Sequence, residues 1–430
     1  MKTTGSDTRH APKRGLVHNR DFMRFWVGET VSLFGVQVTT LALPLTAVVY
    51  LSATPEQVGA LRMCAFLPFL FLAIPFGVIA DRHPKRTLMI VANAVRAVFV
   101  GVVPVLALLD FLSVTALIAI TLGIGVCTVL FEVCWSSYVP VIVEKDHLVT
   151  ANGRVAASSS AAEFAGPGVG GLFVQLFTGP FALVANSASY LISVFTLWRI
   201  KTPEHIDKPA ERNVRAEVRD GLRFVLRQHY LRILAISGAM FNFCYMFVEA
   251  TFLIFAVRVL RFEPGLIGLV VALGAIGGLL GATIASPLLR RFRFGAVYGI
   301  AVLVGHCGPL LIPAAGGSPA LQIVMVVAGF FLMRGGLSVF NVAGISLRQA
   351  VTPPHLMGRM TAGLRTISWG LGTLGALVGG FVAGGIGLRA ALWVAAVGFL
   401  VAAVPMLLSR IPRLVTLPGP DPVDRELAPA

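Results

Sequence analysis

The chain has 430 residues, 56% of them hydrophobic and only 13% charged, with a formal net charge of +15. A soluble domain carries about 25% charged residues, so a soluble globular fold is excluded. Long apolar runs recur from Phe22 to Leu408. They are too long and too continuous for barrel strands, which leaves an all-α membrane protein.

In chain order the runs predict twelve transmembrane helices, at roughly 22–50, 55–80, 86–109, 113–139, 148–177, 180–199, 231–258, 264–289, 295–314, 318–345, 357–386 and 388–409. The expected organisation is a tail over 1–21, a six-helix bundle over 22–199 and a linker over 200–230. A second six-helix bundle follows over 231–409, then a tail over 410–430. The first run is long enough to span, and no cleavable leader precedes it.

The bases sit in short loops and at the termini, where they act as orientation signals and lipid contacts rather than as a nucleic-acid surface. Arg14, Arg20, Arg24, Arg82, Lys85, Arg86, Lys145, Arg154, Arg290, Arg291, Arg293, Arg348, Arg359, Arg410 and Arg413 fall on one side if both termini are cytoplasmic. The opposite loops carry only Arg258, Arg261 and Arg389. This asymmetry predicts a multi-pass protein of the cell membrane with both termini in the cytoplasm. The five cysteines, Cys64, Cys127, Cys134, Cys244 and Cys307, lie in apolar runs without metal-type spacing and read as small core residues.

In the linker, Val214, Val218, Leu222 and Val225 recur at helical spacing with Arg215, Arg219 and Arg223 between them. An amphipathic helix on the cytoplasmic surface fits, after a start that reads equally well as partly ordered chain. The halves echo each other. His147-Leu148 with Gly153-Arg154 opens the fifth span, and His355-Leu356 with Gly358-Arg359 opens the eleventh. Both spans run into paired glycines, Gly170-Gly171 and Gly379-Gly380. Such repetition is expected of transporters built from two packed bundles. Aligned on Gly59 and Gly268, Asp81 meets Arg290, so only the first half keeps the acid.

That acid belongs to Gly77-Val78-Ile79-Ala80-Asp81-Arg82-His83-Pro84-Lys85-Arg86, between the second and third spans. Glycine permits close approach of a neighbouring helix, and the acid can meet a helix N-terminus. A plain basic loop would explain the bases but not the Gly77–Asp81 spacing. The stretch resembles the loop between the second and third helices of major facilitator superfamily transporters, with Pro84 where that loop often has glycine. The fifth span carries Gly166-Pro167 and Gly170-Gly171. This resembles the motif that marks antiporter-type exporters in the superfamily, while a kinked, closely packed helix is the plainer account.

Ionised residues near mid-bilayer cost roughly 2.5–3.5 kcal/mol on insertion scales, so buried acids call for a reason. Glu29 shares a face with Gln37, Glu132 lies on a polar stripe of the fourth span, and Glu163 follows Ser159 and Ser160. Glu249 aligns with Asn242 and Tyr245, and Arg334 shares a face with Asn341. These residues are candidates for a proton- and substrate-binding cavity between the bundles. The alternative is a structural acid paired with Arg62, Arg96 or Arg334. Arg62 also reads as a snorkelling residue, and Arg96 as support for the Asp81 region. Phe66, Phe69, Phe76, Phe241, Phe243, Phe247 and Phe252 are candidates for a lipophilic wall, with lipid-facing or packing roles as the plainer account of most of them, so they name no substrate.

Further stretches carry a narrower likeness. They are Asn19-Arg20-Asp21-Phe22-Met23-Arg24-Phe25-Trp26 with Gly28, Tyr138-Val139-Pro140, Ala151-Asn152-Gly153-Arg154, Ser346-Leu347-Arg348-Gln349-Ala350 and Gly358-Arg359-Met360. Together they resemble the macrolide-efflux and enterobactin-exporter branch of the drug:proton antiporters. The resemblance implies a twelve-helix, proton-driven exporter of a lipophilic or siderophore-like compound working by alternating access. Asp81 at the N-terminus of the eleventh span, with Arg82 and Arg86 on neighbouring acids, would latch the bundles on the cytoplasmic side. The fourth span lacks the arginine motif of other drug-antiporter branches, so Glu132 and Glu163 are inferred rather than matched. The expected partners are a small molecule, protons and the bilayer, with no nucleic acid, no metal and no cofactor, for a monomer that is not an enzyme. Acidic stripes lean towards cationic or neutral substrates, and Arg334 leaves anions open. An importer or uniporter of the same fold, and a membrane binding protein without transport, are the rival readings.

Overall fold

A computed structural model describes residues 16, 19–204, 214–353, 356–416 and 418. Its helices are α1 (Arg20–Leu45, continued by a π-turn Thr46–Tyr50), α2 (Pro55–Arg82), α3 (Lys85–Leu108), α4 (Val114–Ile142) and α5 (Leu148–Trp198). They continue with α6 (Val214–Arg227), α7 (His229–Arg258), α8 (Pro264–Arg291), α9 (Phe294–Cys307), the short α10 (Leu311–Ala314), α11 (Pro319–Val351), α12 (Met357–Ile386) and α13 (Leu388–Leu408). No strand occurs among the described residues.

Local chemistry sets where these helices begin. Asn19 accepts from the backbone N–H groups of Asp21 and Phe22, and Thr54 forms a capping box with Gln57 just ahead of Pro55. Ser113, Gln228 and Ser318 cap α4, α7 and α11 in the same way. Each such cap stabilises a helix end by about 1 kcal/mol.

Among the described residues, eleven helical stretches are long and apolar enough to cross a membrane, with α9 and α10 joined as one. The 51-residue α5 is two spans. Its helical dihedrals persist through Pro167 and fail at Thr178, at φ 65° and ψ 164°, next to Gly179-Pro180. The described residues therefore hold twelve spans, in the all-α, two-bundle architecture expected from the sequence. The break falls in the 177–180 interval expected between the fifth and sixth spans, next to Pro180, which has no backbone N–H to donate.

Each half packs locally. In the first, α1 lies along α5, α2 along α4 and α3 along α5; in the second, α7 lies along α12, α8 along α11 and α9 along α11. Large apolar side chains such as Phe71, Val98, Phe195, Leu279, Ile300 and Val397 remain exposed around both halves, as a surface meant for lipid requires. The linker helix α6 differs from a simple surface helix. It packs on α12, with Val225 fully buried in the second bundle's apolar cluster. Residues 205–213 and His355 lie outside the described residues.

The halves meet along two crossings, α2 with α12 and α5 with α8. Both are closest at one end. A Cβ on Gly59 would stand 2.9 Å from the Cα of Gly380, and one on Gly171 would stand 2.9 Å from the Cα of Gly268. Only glycine allows backbones this near. These are the repeated glycines of the two halves, and each pairs with the echo of the other. Alongside, Glu56 fills the notch left by Gly384 in one crossing, and Gln175 fills the notch left by Gly265 in the other. Arg258 adds a bond from its Nη2 to the Ala53 carbonyl across the interface, at 2.7 Å.

Candidate functional site

Away from the glycine pairs the crossings open. On α2 the contact continues to Leu70 beside Gly370 and to Phe69 on Trp369, with ring centroids 5.3 Å apart. Further along, Gly77 has nothing within 4 Å of its Cβ position, and neither do Gly153 and Gly358. One apolar cluster, from Val38 to Phe399, unites both halves at the closed end. At the end where the described chain begins and finishes there are separate clusters, one holding Phe22, Tyr138 and Leu197 and another Leu231, Tyr298 and Ile411.

The wedge between the halves is a cavity of about 770 Å³. Of the sequence candidates, Gln37, Glu163, Asn242, Tyr245, Glu249, Arg334 and Asn341 line it. Phe66, Phe241 and Phe252 supply aromatic wall, whereas Phe243 and Phe247 pack into the core. Sequence reasoning missed Trp369, Ser368 and Arg348, which also line it. Arg348 had a signal: Arg334, Asn341 and Arg348 recur every seven residues on α11, along one helix face.

Glu249 is shared between two arginines. Its Oε1 lies 3.8 Å from Arg334 Nη2 and its Oε2 lies 3.6 Å from Arg62 Nη2. Arg62 therefore points into the cavity from the first half and does not snorkel outward. Its Nη2 also donates to the Thr40 carbonyl at 3.3 Å, and Arg334 Nη2 donates to the Tyr245 hydroxyl at 3.2 Å. Asn242 donates from Nδ2 to the Ser368 carbonyl at 2.6 Å, tying α7 to α12. Glu163 is exposed and has no ion pair or hydrogen bond among the described residues.

Glu29 and Glu132 do not line the cavity. Glu29 lies near Arg96, and both Arg96 and Glu132 act on it electrostatically, while Glu132 is exposed and feels Arg365 of α12 in the second half as well as Arg96. Arg96 lies 4.3 Å over the Tyr190 ring and 5.1 Å from the Phe131 ring centre. It donates to Asn93 at 2.8 Å, and Asn93 donates to Ser193 at 2.9 Å. Arg96 thus belongs to the interior of the bundle, not to the Asp81 region expected for it.

The stretch Gly77, Asp81, Arg82, Lys85 and Arg86 lies at the open end. Asp81 and Arg82 are exposed, and Asp81 makes no ion pair or hydrogen bond among the described residues. The latch expected there is not made in this conformation. The neighbouring acid is used differently: Glu204 accepts the backbone N–H of Lys85 at 2.6 Å and of Arg86 at 2.8 Å, capping α3. Arg86 donates to the Trp198 carbonyl at 3.2 Å rather than to an acid. The stretch at Asn19 is structural in the same way. Asn19 donates to the Ile142 carbonyl at 2.8 Å, and Asp21 accepts from the Lys201 and Thr202 backbones at 3.1 and 3.0 Å. In the fifth span Gly166 packs on Gln37 and Gly170 on the Val38 backbone, while Pro167 faces the cavity and Gly171 forms the crossing with α8.

Comparison with known proteins agrees with this geometry. A family model described as transmembrane secretion effector matches residues 11–418. The multidrug efflux pump Tap of Mycolicibacterium fortuitum is 26% identical over 392 residues, covering 87% of this chain and 90% of the relative. Macrolide efflux protein A of Streptococcus pyogenes is 22% identical over 236 residues, covering 54% of this chain and 57% of the relative. Among solved structures, a bacterial homologue of the iron transporter ferroportin superposes with a TM-score of 0.75 at 16% identity, covering 92% of this chain and 99% of that one. The chain belongs to the transmembrane secretion effector family, within the major facilitator superfamily of membrane transporters.

Proposed function

We propose that the chain is a secondary active exporter that moves a lipophilic drug-like or siderophore-like molecule out of the cell in exchange for protons. It acts in the cell membrane with both termini in the cytoplasm, an orientation supported by the arginine-rich loops at the end where the described chain begins and finishes. The observation that carries this reading is the 770 Å³ cavity between two halves that are closed at one end only. In that orientation the cavity opens to the cytoplasm, ready to load. The similarity to two efflux proteins supports the direction.

Alternating access follows from the pseudo-symmetry. Opening the outer end requires the Gly59–Gly380 and Gly171–Gly268 crossings to part while the cytoplasmic ends close. Asp81 would then reach the start of α12 and latch that end, using the positive N-terminus of a helix. Glu163, exposed in the cavity and without an ion pair or hydrogen bond among the described residues, is the first candidate to exchange a proton for substrate. Glu29 and Glu132 beside Arg96 offer a second proton station apart from the cavity.

The test is retention of a compound panel (macrolides, lipophilic cations, catecholate siderophores) in cells expressing the protein, with and without an uncoupler. Lower retention that the uncoupler abolishes is the expected result. Glu163→Gln should remove the uncoupler sensitivity. No change for any compound, with the protein verified in the membrane, would count against export. Right-side-out and inside-out vesicles separate an importer by the direction of flux.

A further inference from the structure

The cavity is more basic than the acidic stripes of the sequence suggest. Its charged lining is Arg62, Arg334 and Arg348 against Glu163 and Glu249, three guanidinium groups to two carboxylates. One of those carboxylates is already engaged: Glu249 presents one oxygen to each of Arg62 and Arg334. We propose that Arg62 and Arg334 form an anion-recognition subsite, that Glu249 fills it when no substrate is bound, and that the transported compounds carry a carboxylate on a planar aromatic body. This rests on the transport reading of the same cavity and names its substrate class.

The contacts of Glu249 with the two arginines are loose, and Tyr245 beside it shares a side-chain hydrogen bond with it. At 3.6 and 3.8 Å the arginine contacts exceed the 2.7–2.9 Å of a charge-assisted hydrogen bond, so the attraction is Coulombic and the fork geometry of each guanidinium is unused. The Nε atoms of Arg62 and Arg334 are buried and have no acceptor among the described residues. A planar guanidinium recognises a carboxylate through two parallel N–H bonds, a match a lysine cannot make. An incoming carboxylate can therefore make shorter bonds than Glu249 does and displace it.

The aromatic part of the ligand has a place beside this subsite. Trp369 from the second half and Phe66 from the first both line the cavity, with ring centroids 6.0 Å apart, and Phe69 closes on Trp369 at 5.3 Å. A cation is disfavoured at Glu249, since it would sit between two guanidinium groups. Its competing place is Glu163. The displacement also has a mechanical result: Arg62 belongs to the first half and Glu249 to the second, so exchanging partners at Arg62 loosens an ion pair that joins the halves.

Binding to the purified, full-length protein tests this without a gradient. The probes are naphthalene-2-carboxylate, its amide and 2-naphthylmethylammonium, titrated calorimetrically. The carboxylate should bind at least about tenfold more tightly than the amide, the worth of one charged hydrogen bond. Arg334→Gln should erase the preference. Should that variant not fold, Arg334→Lys, which keeps the charge and loses the fork, should reduce it. Glu249→Gln should tighten carboxylate binding several-fold and leave the amide unchanged. Equal binding of carboxylate and amide, no carboxylate binding, an ammonium preference lost in Glu163→Gln, or weaker carboxylate binding in Glu249→Gln would each overturn the proposal. Uncoupler-sensitive efflux without a carboxylate preference sinks the subsite and leaves export standing. A carboxylate preference without such efflux does the reverse.

Discussion

The two ends of the molecule are built on different principles. At the closed end the halves share one apolar cluster and approach backbone to backbone at Gly59–Gly380 and Gly171–Gly268. At the open end each half has its own cluster, and the loops between helices carry the bases. The closed end is held by shape, which is lost abruptly once two backbones part. The open end has charged groups available for pairing, Asp81 among them, which act over longer distances and depend on which helix end comes near. A two-state carrier needs both: one end that seals by contact, and one whose closure is set by charge.

The sharpest way to break this contrast is to enlarge a crossing glycine. Gly268→Leu should part the closed end, since overpacking costs about 1–3 kcal/mol, or about 5- to 150-fold in the closed-to-open ratio. A cysteine at Ala53, buried in the wild type, should then label faster with a membrane-impermeant maleimide. Unchanged labelling would mean that the crossing is not the seal. Asp81→Asn attacks the other end. Transport should fall by about 5- to 30-fold, the value of about 1–2 kcal/mol at a helix N-terminus, while labelling at Ala53 stays slow. Normal transport by a well-expressed protein would remove the latch. A smaller effect is expected of Arg258→Gln, which loses the bond to the Ala53 carbonyl. About 1 kcal/mol, or about fivefold faster labelling, is the scale for this one part-buried hydrogen bond. The smallest lies away from both ends. Thr178→Gly relieves a positive φ at a β-branched residue, and should raise the melting temperature by the equivalent of about 1 kcal/mol without changing either labelling or flux.

The fold was readable because lipid imposes simple rules. Apolar runs of spanning length and loop arginines suffice to find twelve spans, including the division near Thr178 that leaves α5 unbroken by hydrogen bonding. The polar stripes were readable for the same reason, since a polar residue facing lipid is costly. Gln37, Asn242, Tyr245 and Arg334 come together in one cavity. Partnership was not readable. Which arginine faces which acid depends on helix rotation and on contacts across the two halves, and nothing in the stripe of Glu249 announces Arg62. Glu29 and Glu132 carry the same kind of stripe yet lie near Arg96, outside the cavity lining, and Glu132 also feels Arg365 from the other half. Arg348 was read as a loop charge because it stands near a helix end, although its seven-residue spacing from Asn341 was available.

The side chains beside the two crossings are exchanged between the halves: an acid on α2 fills a notch on α12, and an amide on α5 fills a notch on α8. Each knob and its notch lie on different halves of the chain. A side chain added at Gly384 or Gly265 must push aside the flexible end of Glu56 or Gln175. A half taken from a relative and joined to this one would meet a knob with no notch, or a notch with no knob, and leak at the closed end.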